Sequence, residues 1–156
     1  MTIISVPPTQ AARLMPLFHQ VHNLHVAQQP ERYAPLPPDP ETITWLSDWL
    51  SSDTAHALGH ETDGVLTGYL IYEIETRPDT PMRRAETRAM LHVISVDAAH
   101  RGQGIGSALI QAMRAELAPE AVPTIATTYA TFNTASAALM ARAGFEPKLI
   151  VAEWRL

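Results

Sequence analysis

The chain contains no cysteine. That one absence excludes a disulfide framework, a thiolate metal site and a cysteine nucleophile. It also has no apolar run long enough to span a bilayer, and its first residues, Met1-Thr2-Ile3-Ile4-Ser5-Val6-Pro7-Pro8, lack the basic start and long apolar core of a secretory leader. A soluble cytoplasmic protein with no membrane partner is the expectation. Positive charge is scarce: 11 lysines and arginines face 16 acids, for a formal net charge of −5. Such a balance argues against a nucleic-acid partner and agrees with a cationic substrate. What is there is ordinary globular material. With 156 residues, 46% of them hydrophobic, the chain has enough apolar surface for one full core, and residues 1–156 read as a single domain. No internal repeat or low-complexity tract interrupts it.

The most informative stretch runs from Leu91 to Ser107. Leu91-His92-Val93-Ile94-Ser95-Val96 is short, mostly apolar and β-branched, which predicts a buried strand. Gly102, Gly104 and Gly106 follow at alternate positions behind Arg101. From Ile105 the apolar spacing turns helical through Leu109, Ala112, Met113 and Leu117. A helix start has unpaired N–H groups, and glycines let a ligand approach them. Arg101, Gly102, Gln103, Gly104, Ile105, Gly106 and Ser107 therefore predict a pyrophosphate cradle. A dinucleotide fingerprint needs a third glycine where Ser107 stands and an acid at the end of the next strand, which closes in Thr127-Thr128-Tyr129 instead. A P-loop needs a Lys-Ser/Thr pair after the glycines, and none follows.

The remaining chain predicts further elements in order. A strand over Thr2–Val6 precedes a helix capped by Thr9 and bent at Pro16. Five prolines between Gln29 and Pro40 stiffen a loop before a helix that Asp39 caps, with Pro40 at its first position and Glu41 in its first turn, and that presents Trp45 and Trp49 to the core. Ala55–Glu61 and Val65–Glu75, joined at Asp63-Gly64, form a hairpin. A polar loop spans Arg77–Glu86, and a strand spans Thr124–Ala130. Asn133 caps a short helix that runs through Arg142 and is ended by Gly144, and strand structure broken at Pro147 follows from Phe145 to Leu156.

The pattern Arg101-x-x-Gly104-x-Gly106, between a strand and a helix, resembles the acyl-CoA loop of the GNAT N-acetyltransferase superfamily. The order β-α-α-β-β-β-α-β-α-β extends the resemblance over the whole chain. A second family motif, Asn-x-x-Ala-x-x-x-Tyr-x-x-x-Gly-Phe, has its counterpart in Asn133, Ser136, Met140, Gly144 and Phe145. The resemblance implies an α/β fold: a strongly twisted mixed sheet of six to seven strands with helices on both faces. It implies acetyl-CoA as co-substrate and no metal, with main-chain groups of Ile94 and Val96 along the pantetheine arm and Asn133 near the cofactor. It also implies a primary amine of a small molecule or peptide as acceptor, direct attack without a covalent enzyme intermediate, and a possible homodimer. Met140 stands where the family often has a tyrosine acid, so a degenerate acyl-CoA-binding sensor is the alternative, and a nucleotide-binding module the next.

Amine acetylation needs a neutral nucleophile. An alkylammonium of pKa about 10.4 carries a penalty of roughly 4–5 kcal/mol for deprotonation at pH 7, so a base is useful. His92, mid-strand where the family frequently places a glutamate or histidine, is the candidate, against the alternative of a hydrogen-bonded core histidine. Glu73 and Glu75 share a strand face with Tyr69 and Ile71 by period two. Glu73 and Glu75 are candidates to act as base or bind a cation, or are simply solvated acids. Tyr129 or water would protonate the leaving thiolate. His25 and Tyr33 are expected near the acceptor mouth together with Tyr69. His19, His22 and His25 step around a helix too far to share one ion.

Overall fold

The computed structural model describes residues 2–155. Strands β1 (Thr2–Ser5), β2 (Ala55–Thr62), β3 (Val65–Arg77), β4 (Glu86–Val96) and β5 (Thr124–Thr127) make one sheet in the order β1-β2-β3-β4-β5. The first four are antiparallel neighbours, and β5 lies parallel to β4. The β2–β3 turn is the expected one: Asp63 and Gly64 take φ of 51° and 81°, the positive values a tight two-residue hairpin needs.

Helices cover both faces. On one, α1 (Met15–Gln28) and α2 (Asp39–Leu50) set Leu17, Phe18, Leu46 and Leu50 against Tyr69 and Ile71 of β3. On the other, α3 (Ile105–Leu117) and α4 (Thr134–Arg142) set Leu109, Met113 and Met140 against Leu70, Tyr72 and Leu91. Met140 is therefore core filling in this chain.

Among the described residues the sheet has five strands, not the expected six to seven. Among the described residues, those from Phe145 onward form no strand. They carry a strand-like apolar pattern, yet Leu149, Ile150, Val151 and Trp154 are 76–89% exposed, because no sheet edge of the chain receives them. Ion pairs from Arg32 to Glu153 and from Arg155 to Glu31 hold this tail against the loop after α1.

Local differences have local causes. The single bent helix expected from Thr9 is instead a 3-10 segment, Pro8–Leu14, followed by α1. Pro16 falls in the first turn of α1, where its missing N–H has no partner to lose. Pro38, not Asp39, is the N-cap of α2, and the Asp39 carboxylate instead meets His19 Nε2 at 2.8 Å. Trp45, expected in the core, is 53% exposed and leans on Phe18 and Trp49.

Strand β4 has one residue too many for its partner. Ile71 pairs with Val93 and Tyr72 with Leu91, leaving His92 as a bulge. Before it, Ala89 and Leu91 pack toward α3; after it, Ile94 and Val96 do so, and Val93 turns to the α1–α2 side.

Candidate active site

The parallel strands β4 and β5 stay together only from Arg88 to Leu91, opposite Thr124 to Thr127. At the last pair the Thr127 hydroxyl donates to the Leu91 carbonyl at 3.0 Å. From His92 to Val96, β4 runs on with no strand on that side among the described residues. The Asp97 N–H donates to Thr67 of β3 at 2.9 Å. Antiparallel ladders alternate, so Ser95 also faces β3, and the N–H and C=O groups of Ile94 and Val96 point into the gap.

The gap leads to the glycine turn. Gly102 and Gly104 have φ of 76° and 81°, so backbone shape requires glycine there. Gly106 serves a different purpose. A Cβ on it would lie 2.9 Å from Leu139 Cδ2, so its bareness lets α3 approach α4. Gly104 is the N-cap of α3 and supplies no side-chain cap, which leaves the N–H groups of Ile105, Gly106 and Ser107 available to an anion. Arg101 folds back so that its Nε donates to the Val96 carbonyl at 3.2 Å. The turn before it is fixed by Asp97, whose carboxylate accepts from Gln20 Nε2, His100 Nδ1 and the Ala99 N–H, each at 2.9 Å. Those bonds, Gln20 first and His100 next, pull the Asp97 pKa down to about 2. Nothing in the sequence linked Gln20 to this turn, because they are 77 residues apart. Asn133 caps α4 by accepting from the Ser136 N–H at 3.0 Å.

On the α1–α2 face of the same strand, His92 Nε2 stands 2.9 Å from Glu73 Oε2, and Trp49 meets the imidazole edge-on at 5.6 Å. Two residues singled out separately from the sequence are thus one pair, and Trp49 was missed because periodicity made it core. Glu75 has other partners. Burial raises its pKa, but hydrogen bonds and charge from Arg88, then Arg77, outweigh that and hold it below the usual carboxylate value. Tyr69 is wholly buried, its hydroxyl without a partner among the described residues, and burial drives its pKa far up. Tyr129 follows β5 and is 39% exposed.

His25 packs edge-on against Tyr33 and Phe132 at 5.1 and 5.5 Å, joining the end of α1, the following loop and the segment before α4. Phe132 escaped the sequence reading although it adjoins Asn133. His22 Nε2 meets the Ala34 carbonyl at 2.7 Å. Among the described residues no three His, Asp or Glu side chains are grouped to hold a metal, and no helix is long and apolar enough to cross a membrane.

A parted parallel strand pair leads to a bare helix start, and an acid–imidazole pair joins β3 to β4 on the α1–α2 face. Comparison with known proteins gives the family. The family model described as acetyltransferase (GNAT) family matches residues 18–145, so the chain belongs to the GNAT acetyltransferase family and is an acyltransferase. The BH1408 protein from Bacillus halodurans, crystallised as a tetramutant, superimposes with a TM-score of 0.90 at 17% identity over 100% of both chains. The aminoglycoside N-acetyltransferase AAC(6')-Iy in complex with CoA gives 0.77 at 20% identity, covering 99% of this chain and 93% of its own. Ribosomal-protein-alanine N-acetyltransferase from Brucella melitensis gives 0.72 at 20% identity over 100% of both. These establish a shared fold. A search of curated proteins finds no match by sequence.

Proposed function

We propose that the protein moves the acetyl group of acetyl-CoA to a primary amine of a small molecule or peptide by direct attack. The observation that carries this is the use of one strand twice. The edge of β4 offers Ile94 and Val96 main-chain groups to an extended ligand arm, while its face presents His92 with Glu73. The N–H groups of Ile105, Gly106 and Ser107, with Arg101 close by and Gly102, Gln103 and Gly104 shaping the turn, fit a pyrophosphate. Acetyl-CoA supplies an activated acyl group with a thiolate leaving group.

Glu73 accepts a hydrogen bond from the His92 Nε2–H and so leaves Nδ1 to take the proton of the incoming ammonium, directly or through water, after which the neutral amine attacks. An N–H on the open edge of β4 polarises the acyl carbonyl. Tyr129 or water returns a proton to the departing sulfur. The cluster of His25, Tyr33 and Phe132 borders the acceptor's approach. Two similar structures, an aminoglycoside acetyltransferase in complex with sisomicin and AAC(6')-Iy in complex with a CoA–acetylneamine bisubstrate analogue, support amine acceptors of that size.

Thermal shift with acetyl-CoA, CoA and NAD, followed by thiol release over a panel of amines, tests the reading. Stabilisation by both CoA species and amine-dependent thiol release are expected; stabilisation by NAD alone, or no release with any amine, overturns it. We further propose a homodimer in which a second copy covers the outer edge of β5 and the exposed tail residues Leu149, Ile150, Val151 and Trp154. Light scattering reporting only a monomer rejects it.

A further inference from the structure

The net charge of −5 conceals a local reversal of sign. At the far end of the β3–β4 hairpin, a cavity of about 230 Å³ is lined by Arg77, Pro78, Arg83, Arg84, Glu86 and Arg88. Four of the chain's 11 basic side chains meet there, against the carboxylates of Glu75 and Glu86.

This end is built rather than loose. Glu75 Oε2 accepts from Arg88 Nε at 3.1 Å, Arg88 Nη2 at 3.0 Å and Arg77 Nη2 at 3.2 Å, fixing both guanidiniums side by side. In the connecting loop, Thr80 and Arg83 exchange backbone hydrogen bonds at 2.8 and 3.2 Å, and Asp79 Oδ1 accepts from the Ala85 N–H at 3.1 Å. Pro78 and Pro81 stiffen the same loop. It therefore holds Arg83 and Arg84 beside the pair, and neither makes a salt bridge among the described residues.

The position relative to the reacting pair gives the cluster its meaning. Glu73 and Glu75 are on one face of β3, and Glu75 pairs directly with Arg88 across the ladder. His92 reaches Glu73 on that same face. Arg88 precedes His92 by four residues on β4, a span of about 13 Å at the rise of a strand. The side chains between are part-exposed, at 26% for Glu73 and 31% for Glu75, so a ligand can lie along the face.

We propose that the acceptor is an amine bearing an anionic group, a carboxylate or a phosphate, about 10–15 Å from its nitrogen. This rests on the acetyltransfer reading above. The amine sits at His92 and Glu73, and the anion enters the cavity beside Arg88, where Arg83 and Arg84 line the same space. Guanidiniums bind both anions through paired N–H groups. The cationic partner that net charge alone suggested is thus narrowed to one whose distal end is negative.

The experiment compares aminooctanoate, aminooctyl phosphate, octylamine and diaminooctane, each by kcat/KM in thiol release from acetyl-CoA and by calorimetric binding in the presence of CoA. The anionic amines are expected to exceed octylamine about 10- to 100-fold in both, the range of one or two charge-assisted hydrogen bonds. Whichever anion leads identifies the source. The preference should fall toward one in the Arg83→Gln, Arg84→Gln double variant and turn toward diaminooctane in Arg84→Glu. Turnover and binding without preference for an anion, or a preference that survives the double variant, overturns the inference and leaves the transferase reading standing. Selective binding of the anionic amines with no turnover of any amine does the reverse.

Discussion

His92 Nε2 and Glu73 Oε2 are 2.9 Å apart, across the point where β4 carries one residue more than β3. His92 keeps the face that alternation from Arg88 gives it, and the extra residue sets Val93 on that same face beside it. His92→Ala is expected to lower kcat by about 10²–10⁴-fold, the range of a general base. CoA affinity by calorimetry should stay near wild type. Glu73→Gln keeps the spacing without the charge and should cost about 10- to 100-fold in kcat. Wild-type kcat in His92→Ala removes the imidazole as base.

Gly106 and Leu139 make a second testable contact, with the absent Cβ 2.9 Å from Leu139 Cδ2. Gly106→Ala should destabilise by about 1 kcal/mol, because a terminal methyl can turn aside only in part. Leu139→Ala in that background should recover some of the loss. Strict additivity in a denaturant double-mutant cycle contradicts the contact.

Tyr69 keeps a buried hydroxyl with no partner among the described residues. Such a group carries a desolvation cost of about 1–3 kcal/mol, so Tyr69→Phe should raise stability or leave it unchanged. A loss of stability shows that the hydroxyl is bonded in solution. A loss of activity without loss of stability assigns it to the acceptor after all.

Asp97 titrates at about 2 rather than its ordinary 3.8 because Gln20, His100 and the Ala99 N–H all favour the charged form. A depressed pKa contributes stability that is complete above the unfolded value and disappears as pH falls through the folded one. The stability gap between wild type and Asp97→Asn should therefore be constant above about pH 5 and close as pH falls toward 2. Urea midpoints across that range measure it. A gap still open at the acid end means that charge is not what holds the turn.

What the sequence revealed was what neighbouring residues decide. Asp63-Gly64 gave the hairpin, Gly102 and Gly104 the turn, and Gly144 the end of α4, where φ is 89° and the Phe145 N–H reaches the Met140 carbonyl at 3.0 Å. What stayed hidden depends on distant parts of the chain. The link from Gln20 to Asp97 joins α1 to the end of β4, and Trp49 reaches His92 only once α2 is docked. The arginine cluster needs the hairpin to bring Arg77 beside Arg88. The tail shows the opposite failure: Leu149, Ile150 and Val151 look like a strand, but pattern says nothing of whether an edge is within reach.

The extra residue at His92 also makes β4 a strand in two phases. Deleting His92 would remove the bulge and let Leu91 and Val93 follow each other in regular alternation, so Val93 would keep the α1–α2 side and Ile94 and Val96 the α3 side. An ungapped comparison of this segment with a relative lacking the insertion would match inward positions to outward ones. Loss of the His92 codon is thus expected to leave both layers in place while removing the imidazole, whereas a deletion elsewhere in β4 would turn one half of the strand to the wrong face.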